Sequence, residues 1–292
     1  MTQPTLDLSP ALATKYATLQ DNLSSYESAI IAFSGGIDSS LVAFVAGQVL
    51  GHRARAITSA SASLKRADLE LAERLAQEWG IRHEVIVTDE LAKPEYRANP
   101  TNRCFHCKTS LYTYLDDIAK EQDIEIVLNG TNLDDLGDHR PGLVAADNFE
   151  VRSPLVESGF HKADIRALAE SLGLENADKP QAACLSSRFP YGTHITQALL
   201  AQVEAAEDVL SDIGLKQFRV RHHGDVARLE IPTDEFARVL DHRQDIESRI
   251  RATGYLYVAL DLSGFKSGSL NAALGSNELV QVIDVGNPAK SS

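Results

Sequence analysis

"AFSGGIDSS", Ala32 to Ser40, decides how the other residues of this 292-residue chain are read. It follows an apolar run, "SAIIAF" (Ser28 to Phe33), and leads into "DSSLVAFVAGQVL" (Asp38 to Leu50), whose apolar residues repeat at helical spacing. Gly35 and Gly36 let the backbone approach a ligand closely. The N–H groups and dipole of a helix start then favour an anion. Ser34 and Ser39 add hydroxyl donors, whereas Asp38 repels a bare phosphate unless it holds a cation or caps the helix. A Gly-Gly turn alone fits an ordinary strand–helix corner equally well. The whole SGGxDS string, placed directly after the first strand, points to a nucleotide site. It is not a Walker A loop, because no Gly-Lys-Ser/Thr follows.

Working outward, "ARAITS" (Ala54 to Ser59), "HEVIVT" (His83 to Thr88) and "IEIVLNG" (Ile124 to Gly130) read as further buried strands. "RADLELAERLAQEWG" (Arg66 to Gly80) and "CKTSLYTYLDDIAKEQ" (Cys107 to Gln122) read as the helices between them. Such alternation predicts an α/β domain with a parallel sheet, helices on both faces, and ligands beyond the carboxyl ends of the strands. A helix is expected over His161 to Leu172. "GLENADKPQAACLSSRFPYGTHIT" (Gly173 to Thr196) has no clear period, and the domain boundary is placed near its end. Beyond it a helix, a hairpin in "KQFRVRHHGDVARLEIP", two short helices and a strand, "YLYVALDL", outline a smaller α+β domain. The expected division is 1–193, 194–280 and a flexible tail, 281–292.

The formal net charge of -13 argues against nucleic acid as a partner, since phosphate binding needs a basic footprint. No apolar run reaches the length of a membrane span, and "MTQPTLDLSP" is not a secretory signal. Three cysteines, an odd number, disfavour a disulfide framework and fit a reducing cytoplasm.

Those cysteines are Cys104 and Cys107, in "RCFHCK", and Cys184. A CxxC pair serves as a redox disulfide, half of a zinc site or part of an iron–sulfur site. Soft thiolates suit zinc and iron–sulfur clusters alike. A structural zinc site wants four protein ligands, and His106, inside the CxxC turn, is a strained fourth. Three thiolates with an open position fit a reactive cluster better. Three inert, partly buried thiols are the plain alternative.

The SGGxDS string resembles the pyrophosphate loop of the PP-loop ATP pyrophosphatases, with their adenine nucleotide alpha hydrolase-like fold. "FSGGIDSSLVA", "NRCFHCKTSLY", "NGTNLDDLGDHRPGL", "KPQAACLSSRFPYG", "FRVRHHGDVARLE" and "DLSGFKSGSLN" together resemble the LarE family. These are ATP-dependent sulfur transferases that mature the nickel-pincer cofactor of lactate racemase. The resemblance implies ATP with Mg2+, adenylation of the carboxylates of pyridinium-3,5-dicarboxylate mononucleotide, and replacement of AMP by sulfur. It implies either a 4Fe-4S cluster on Cys104, Cys107 and Cys184, whose fourth iron carries sulfide, or sacrificial donation from Cys184. It also implies adenine contacts near Thr58, Ser59 and Gly130, a sulfide source or desulfurase as partner, and a homo-oligomer, a hexamer in relatives.

Strand alternation puts Arg219 and Arg221 on one face and Phe218 and Val220 on the other. Two guanidiniums on one face can grip the phosphate that the implied mononucleotide carries; a solvated face with Arg228 and Glu230 as cross-strand partners is the alternative. Asp134, Asp135 and Asp138, in a loop at the ligand end of the sheet, are candidate magnesium ligands or acceptor contacts, or else a solvated acidic loop. Asp261 faces the same cleft on this reading. Arg188 and Lys108 flank the cysteines, where they meet phosphate or carboxylate oxygens or simply extend into solvent. Cys184, Asp38 and Arg188 are the candidate catalytic residues. His222 and His223 read as exposed turn-adjacent residues and His194 as structural.

A tRNA thiolase shares the loop but should show a basic face. An amidating ligase needs no cysteine, and a nucleotide-binding regulator releases no pyrophosphate.

Overall fold

The computed structural model describes residues 6–136, 141–180 and 183–266; Asp138, the end of "DLSGFKSGSLN" and the 281–292 tail lie outside them. Compactness separates two units. One runs to Thr88 and resumes over Cys104–Ala182; the other takes in Asp89–Arg103 and the chain from Ala183 onward.

In chain order the first unit contains α1 (Pro10–Ser24), β1 (Ala29–Ala32), α2 (Ile37–Leu50), β2 (Ala54–Ser59), α3 (Arg66–Trp79) and β3 (Arg82–Ile86). A short helix α4 (Pro94–Arg97) belongs to the other unit, and α5 (Arg103–Glu121) leads back. Then come β4 (Ile126–Leu128), α6 (Pro141–Asn148), α7 (Pro154–Glu157) and α8 (Lys162–Ser171). The four strands are parallel, in the order β3-β2-β1-β4. This is the expected α/β class. In β1, Ile31 packs with Leu41 and Val45 of α2 and Leu168 of α8, while Ile30 packs on the other face with Tyr112 and Leu115 of α5. The period of two therefore fills both layers. Burying each isoleucine contributes about 1.5–3 kcal/mol.

α1 was not anticipated, although its entry signal is plain. Ser9 accepts the N–H of Leu12 at 3.3 Å, Pro10 takes the first helical position, and Leu12, Leu19 and Leu23 form the buried stripe. α5 begins at Arg103, not at the expected Cys107.

The second unit contains α9 (Gln197–Asp212), β5 (Arg219–His223), β6 (Val226–Glu230), α10 (Phe236–Asp241), α11 (Arg243–Ala252) and β7 (Tyr257–Leu260). β5 and β6 form the expected antiparallel hairpin, and β7 adds parallel to β6. Val220, Ala227 and Leu229 form a core with Leu210 of α9 and Ile246 and Ile250 of α11. No helix among the described residues is long and apolar enough to cross a membrane.

Candidate functional site

In the first unit, the chain leaves β1 and enters α2 through Gly35, whose φ of +68° is open to glycine at little steric cost. Gly36 is the N-cap and supplies no side chain, so no capping group occupies the first-turn N–H groups of α2. Ser39 Oγ donates to Gly36 O at 3.0 Å and accepts the Ser34 N–H at 3.2 Å, with Ser34 Oγ 3.2 Å away. Asn176, buried, donates to Gly35 O at 3.0 Å and Ser40 Oγ at 2.8 Å, which pins the loop from behind. Gly130, just beyond β4, explains itself: a Cβ there would stand 2.5 Å from Ser39 N. The loop is thus an anion cradle made of backbone, with a second backbone laid directly against it.

Asp38 sits in the first turn of α2, and Lys162 Nζ grips both of its carboxylate oxygens, Oδ1 at 2.6 Å. Burial pushes the Asp38 carboxyl above its ordinary value, and the Lys162 ammonium pulls it back. Asp134 accepts the backbone N–H of Lys162 at 2.6 Å and meets His161 Nδ1 at 2.8 Å. Those hydrogen bonds hold its carboxyl below the usual range, the Lys162 N–H first. Asp135 accepts the Asn132 N–H at 3.2 Å, in a reciprocal cap. Lys162 and Asn176 escaped the sequence reading. Lys162 opens an expected helix, but nothing local says that it reaches a residue 124 positions away.

Thr58 Oγ1 donates to Phe33 O at 2.7 Å and meets His83 Nε2 at 2.8 Å, and Ser59 Oγ pairs with Thr88 Oγ1. Both hydroxyls therefore already hold protein partners. Burial lowers the pKa of His83.

Cys104 and Cys107 are three residues apart on one face of α5, and Lys108 lies over the Tyr112 ring at 5.6 Å. Cys184 belongs to the second unit, and none of the three cysteines forms a disulfide. Cys184 caps a single 3-10 turn, Leu185–Arg188. Arg188 does not extend into solvent. It is 3% exposed and forms a two-pronged ion pair with Glu207 of α9, Nε to Oε1 at 2.8 Å and Nη2 to Oε2 at 3.2 Å. Its Nη1 donates to Ala183 O and Ser187 Oγ, both at 2.9 Å, and reaches Cys184 O at 3.4 Å. Arg188 thus stabilises the bend that presents Cys184.

Arg221, buried, pairs with Glu230 at 2.9 Å and donates to Ser187 O at 2.6 Å. Arg219 lies over the Phe265 ring at 4.6 Å and donates to Lys266 O at 3.3 Å. Burial and the neighbouring guanidiniums of Arg221 and Arg188 lower its pKa to about 10, still charged at neutral pH. Glu230 and Glu207 offset part of that lowering. Asp261 is paired with Arg228, whose other nitrogen meets Glu230 at 3.1 Å. His222 overturns its reading as an exposed turn residue: it shares the core face of Val220, stacks against Phe189 and meets Tyr255 Oη at 3.1 Å. His223 is exposed.

Residues 17–136 match the model of the asparagine synthase family. The chain is 43% identical over 265 residues to an uncharacterized protein of Synechocystis sp., covering 90% of this chain and 99% of the relative. It is 39% identical over 269 residues to the pyridinium-3,5-bisthiocarboxylic acid mononucleotide synthase of Lactiplantibacillus plantarum, covering 92% and 98%. It is 28% identical over 238 residues to an uncharacterized protein of Methanocaldococcus jannaschii, covering 82% and 90%.

Proposed function

The chain belongs to the LarE family of PP-loop, ATP-dependent sulfur transferases, and from that premise we propose that it converts both carboxylates of pyridinium-3,5-dicarboxylate mononucleotide to thiocarboxylates. What carries this reading is 39% identity, across 92% of the chain, to a synthase named for that product. In the proposed first step a substrate carboxylate oxygen attacks the α-phosphorus of ATP. The bond to the β-phosphate oxygen breaks, and pyrophosphate leaves. Sulfur then attacks the acyl carbon and AMP leaves.

The first-turn N–H groups of α2, with Ser34 and Ser39, would hold the phosphates. Main chain at Thr58, Ser59 and Gly130 would border the adenine. Asp38 is the proposed first magnesium ligand: a hard carboxylate beside a phosphate cradle suits an ion held by one or two carboxylates plus phosphates. Lys162 neutralises that carboxylate until magnesium arrives and then becomes available to the phosphates. All four candidates have protein partners, and what supports Asp38 is its place in the first turn of α2, at the cradle itself. Arg219, with Arg221 beside it, would take the phosphate of the substrate.

Three cysteines outside any disulfide are the right donors in kind for a 4Fe-4S cluster that Cys104, Cys107 and Cys184 would hold, with the remaining iron able to carry sulfide as cargo. A second reading is sacrificial donation, which suits a cysteine at the head of a turn held from outside by Arg188. There, Cys184 Sγ itself displaces AMP. Loss of its Cα proton and cleavage of its Cβ–S bond then leave the thiocarboxylate on the substrate and dehydroalanine in the chain.

Exposed Leu240, Leu256, Tyr257 and Leu262, all in the second unit, offer apolar surface for the proposed homo-oligomer. A sulfide source or desulfurase would serve the cluster route.

The test is anaerobic: iron, acid-labile sulfide, pyrophosphate, AMP and thiocarboxylate are measured per chain. Repeated turnover by iron-loaded protein supports the cluster. Iron-free protein that turns over once and loses the mass of hydrogen sulfide at Cys184 replaces it with the sacrificial route. Absence of substrate-dependent pyrophosphate release sinks both.

A further inference from the structure

Segment Asp89–Arg103 leaves the sheet unit between β3 and α5 and joins the second unit. Four of its residues act on the stretch that contains and follows Cys184. Tyr96, buried, shares a 2.6 Å hydrogen bond with Ser186 Oγ. Asn99, at a φ of +50°, donates to Pro190 O at 2.8 Å, and its carbonyl accepts the Gly192 N–H at 2.9 Å. Arg97 O accepts the Ile195 N–H at 2.8 Å. Arg103, 3% exposed, donates to Asn99 Oδ1 at 2.5 Å and to Ser186 O at 2.7 Å.

Taken with Arg188 on Ala183 O and Arg221 on Ser187 O, three guanidiniums hold carbonyls on both sides of Cys184. Each is itself buried, which is costly for a charged group unless its surroundings are well arranged. Ser186, two residues from the thiol, is fixed at its carbonyl by Arg103 and at its hydroxyl by Tyr96. A 3-10 turn this short has few hydrogen bonds of its own, so outside partners decide where it stands.

We propose that Arg103 is a positioning residue: through the Ser186 carbonyl it sets where Cys184 Sγ stands for sulfur transfer. The catalytic consequence rests on the sulfur-transfer reading; the clamp itself does not.

The experiment compares wild type with Arg103→Met, Arg103→Lys and Tyr96→Phe, all anaerobic. Two quantities are read. One is the rate at which iodoacetamide labels Cys184 without ATP, located by peptide mass spectrometry with Cys104 as internal reference. The other is thiocarboxylate formed per pyrophosphate released. Arg103→Met should raise Cys184 labelling about tenfold over Cys104, since a local opening is made easier. It should lower thiocarboxylate per pyrophosphate by up to about 100-fold, the scale of a 1 Å misplacement. Arg103→Lys, which keeps a donor, should recover part of both, and Tyr96→Phe should move both in the same direction by less. If Arg103→Met does not fold, the other two variants carry the same comparison. Unchanged labelling and an unchanged ratio in the folded variants overturn the proposal. Changed labelling in a protein whose wild type releases no pyrophosphate leaves the clamp standing and removes the function proposed above.

Discussion

The loop proposed to cradle phosphate and the loop that carries Cys184 are built in opposite ways. The first is backbone: a glycine at positive φ, an N-cap without a side chain, and open N–H groups, all within Ala32 to Ser40. The second is held from outside, its carbonyls taken by Arg103, Arg188 and Arg221, which are spread over more than 100 positions of the chain. Binding an anion needs only main-chain N–H groups pointing one way, which consecutive residues supply. Aiming one thiol needs a fixed position, and a short irregular loop gains that only from tertiary partners.

The largest effect should separate the two loops outright. Cys184→Ala should reduce thiocarboxylate formation by at least about 1000-fold, as expected when a group that takes part in the chemistry is removed. Pyrophosphate release with substrate should continue, since the cradle is untouched. Product assay by mass spectrometry alongside a pyrophosphate assay checks both. Sulfur transfer at the wild-type rate would break the comparison, because the cysteine loop would then be scaffold only.

How much was legible follows from the same difference. The strands, the parallel sheet and the Gly-Gly corner between β1 and α2 are legible in local pattern, because apolar runs and a Gly-rich turn are written in consecutive residues. The hairpin of β5 and β6 was legible too, but not the fate of its arginines. Alternation placed Arg219 and Arg221 on one face; that Arg221 would be buried against Glu230 and Ser187 O while Arg219 lies over the Phe265 ring depends on partners the strand does not contain. Alternation carried one step further would have set His222 beside Val220 in the core. Lys162, Asn176 and Arg103 had no local signal, since each acts on a partner brought near by the fold. α1 does have a local signal, Ser9-Pro10 ahead of a leucine stripe.

The second test sharpens the claim that the cysteine loop is held by side chains. Arg188→Met takes the guanidinium away from the buried Glu207, which keeps the Val220 N–H, and should lower stability by about 3–5 kcal/mol in denaturant unfolding. Replacing both, Arg188→Met with Glu207→Leu, should recover part of that loss, although the Val220 N–H then loses its acceptor and the carbonyls of Ala183 and Cys184 lose the Arg188 donor. A double variant no better than the single one would show that the carbonyl contacts matter more than the ion pair.

On the phosphate loop the comparable change is a single methyl. Gly130→Ala would press a Cβ to 2.5 Å from Ser39 N, so the two backbones must part. Overpacking of this kind costs about 1–3 kcal/mol. It should weaken ATP binding about tenfold or more, because the displaced N–H groups are those that would face phosphate. Calorimetric titration with ATP and magnesium reads this directly, and unchanged affinity would place the nucleotide elsewhere.

The smallest effect belongs to Asp134, which lies on the surface and holds the first turn of α8 through the Lys162 N–H and His161. Its carboxyl is held below the ordinary value of 3.8, so the folded chain favours the ionised form. The sign follows by linkage: the contribution is fully present above 3.8 and is lost as pH falls through the lower folded value. Asp134→Asn should therefore lower the unfolding midpoint at pH 7 by no more than about 2 °C, a surface-sized effect. The gap from wild type should close below pH 3.8. Because Lys162 carries the ammonium that holds Asp38, the same variant should loosen Mg2+-dependent ATP affinity slightly, with no change in Cys184 labelling. A change in that labelling would mean that the two loops are coupled rather than independently built.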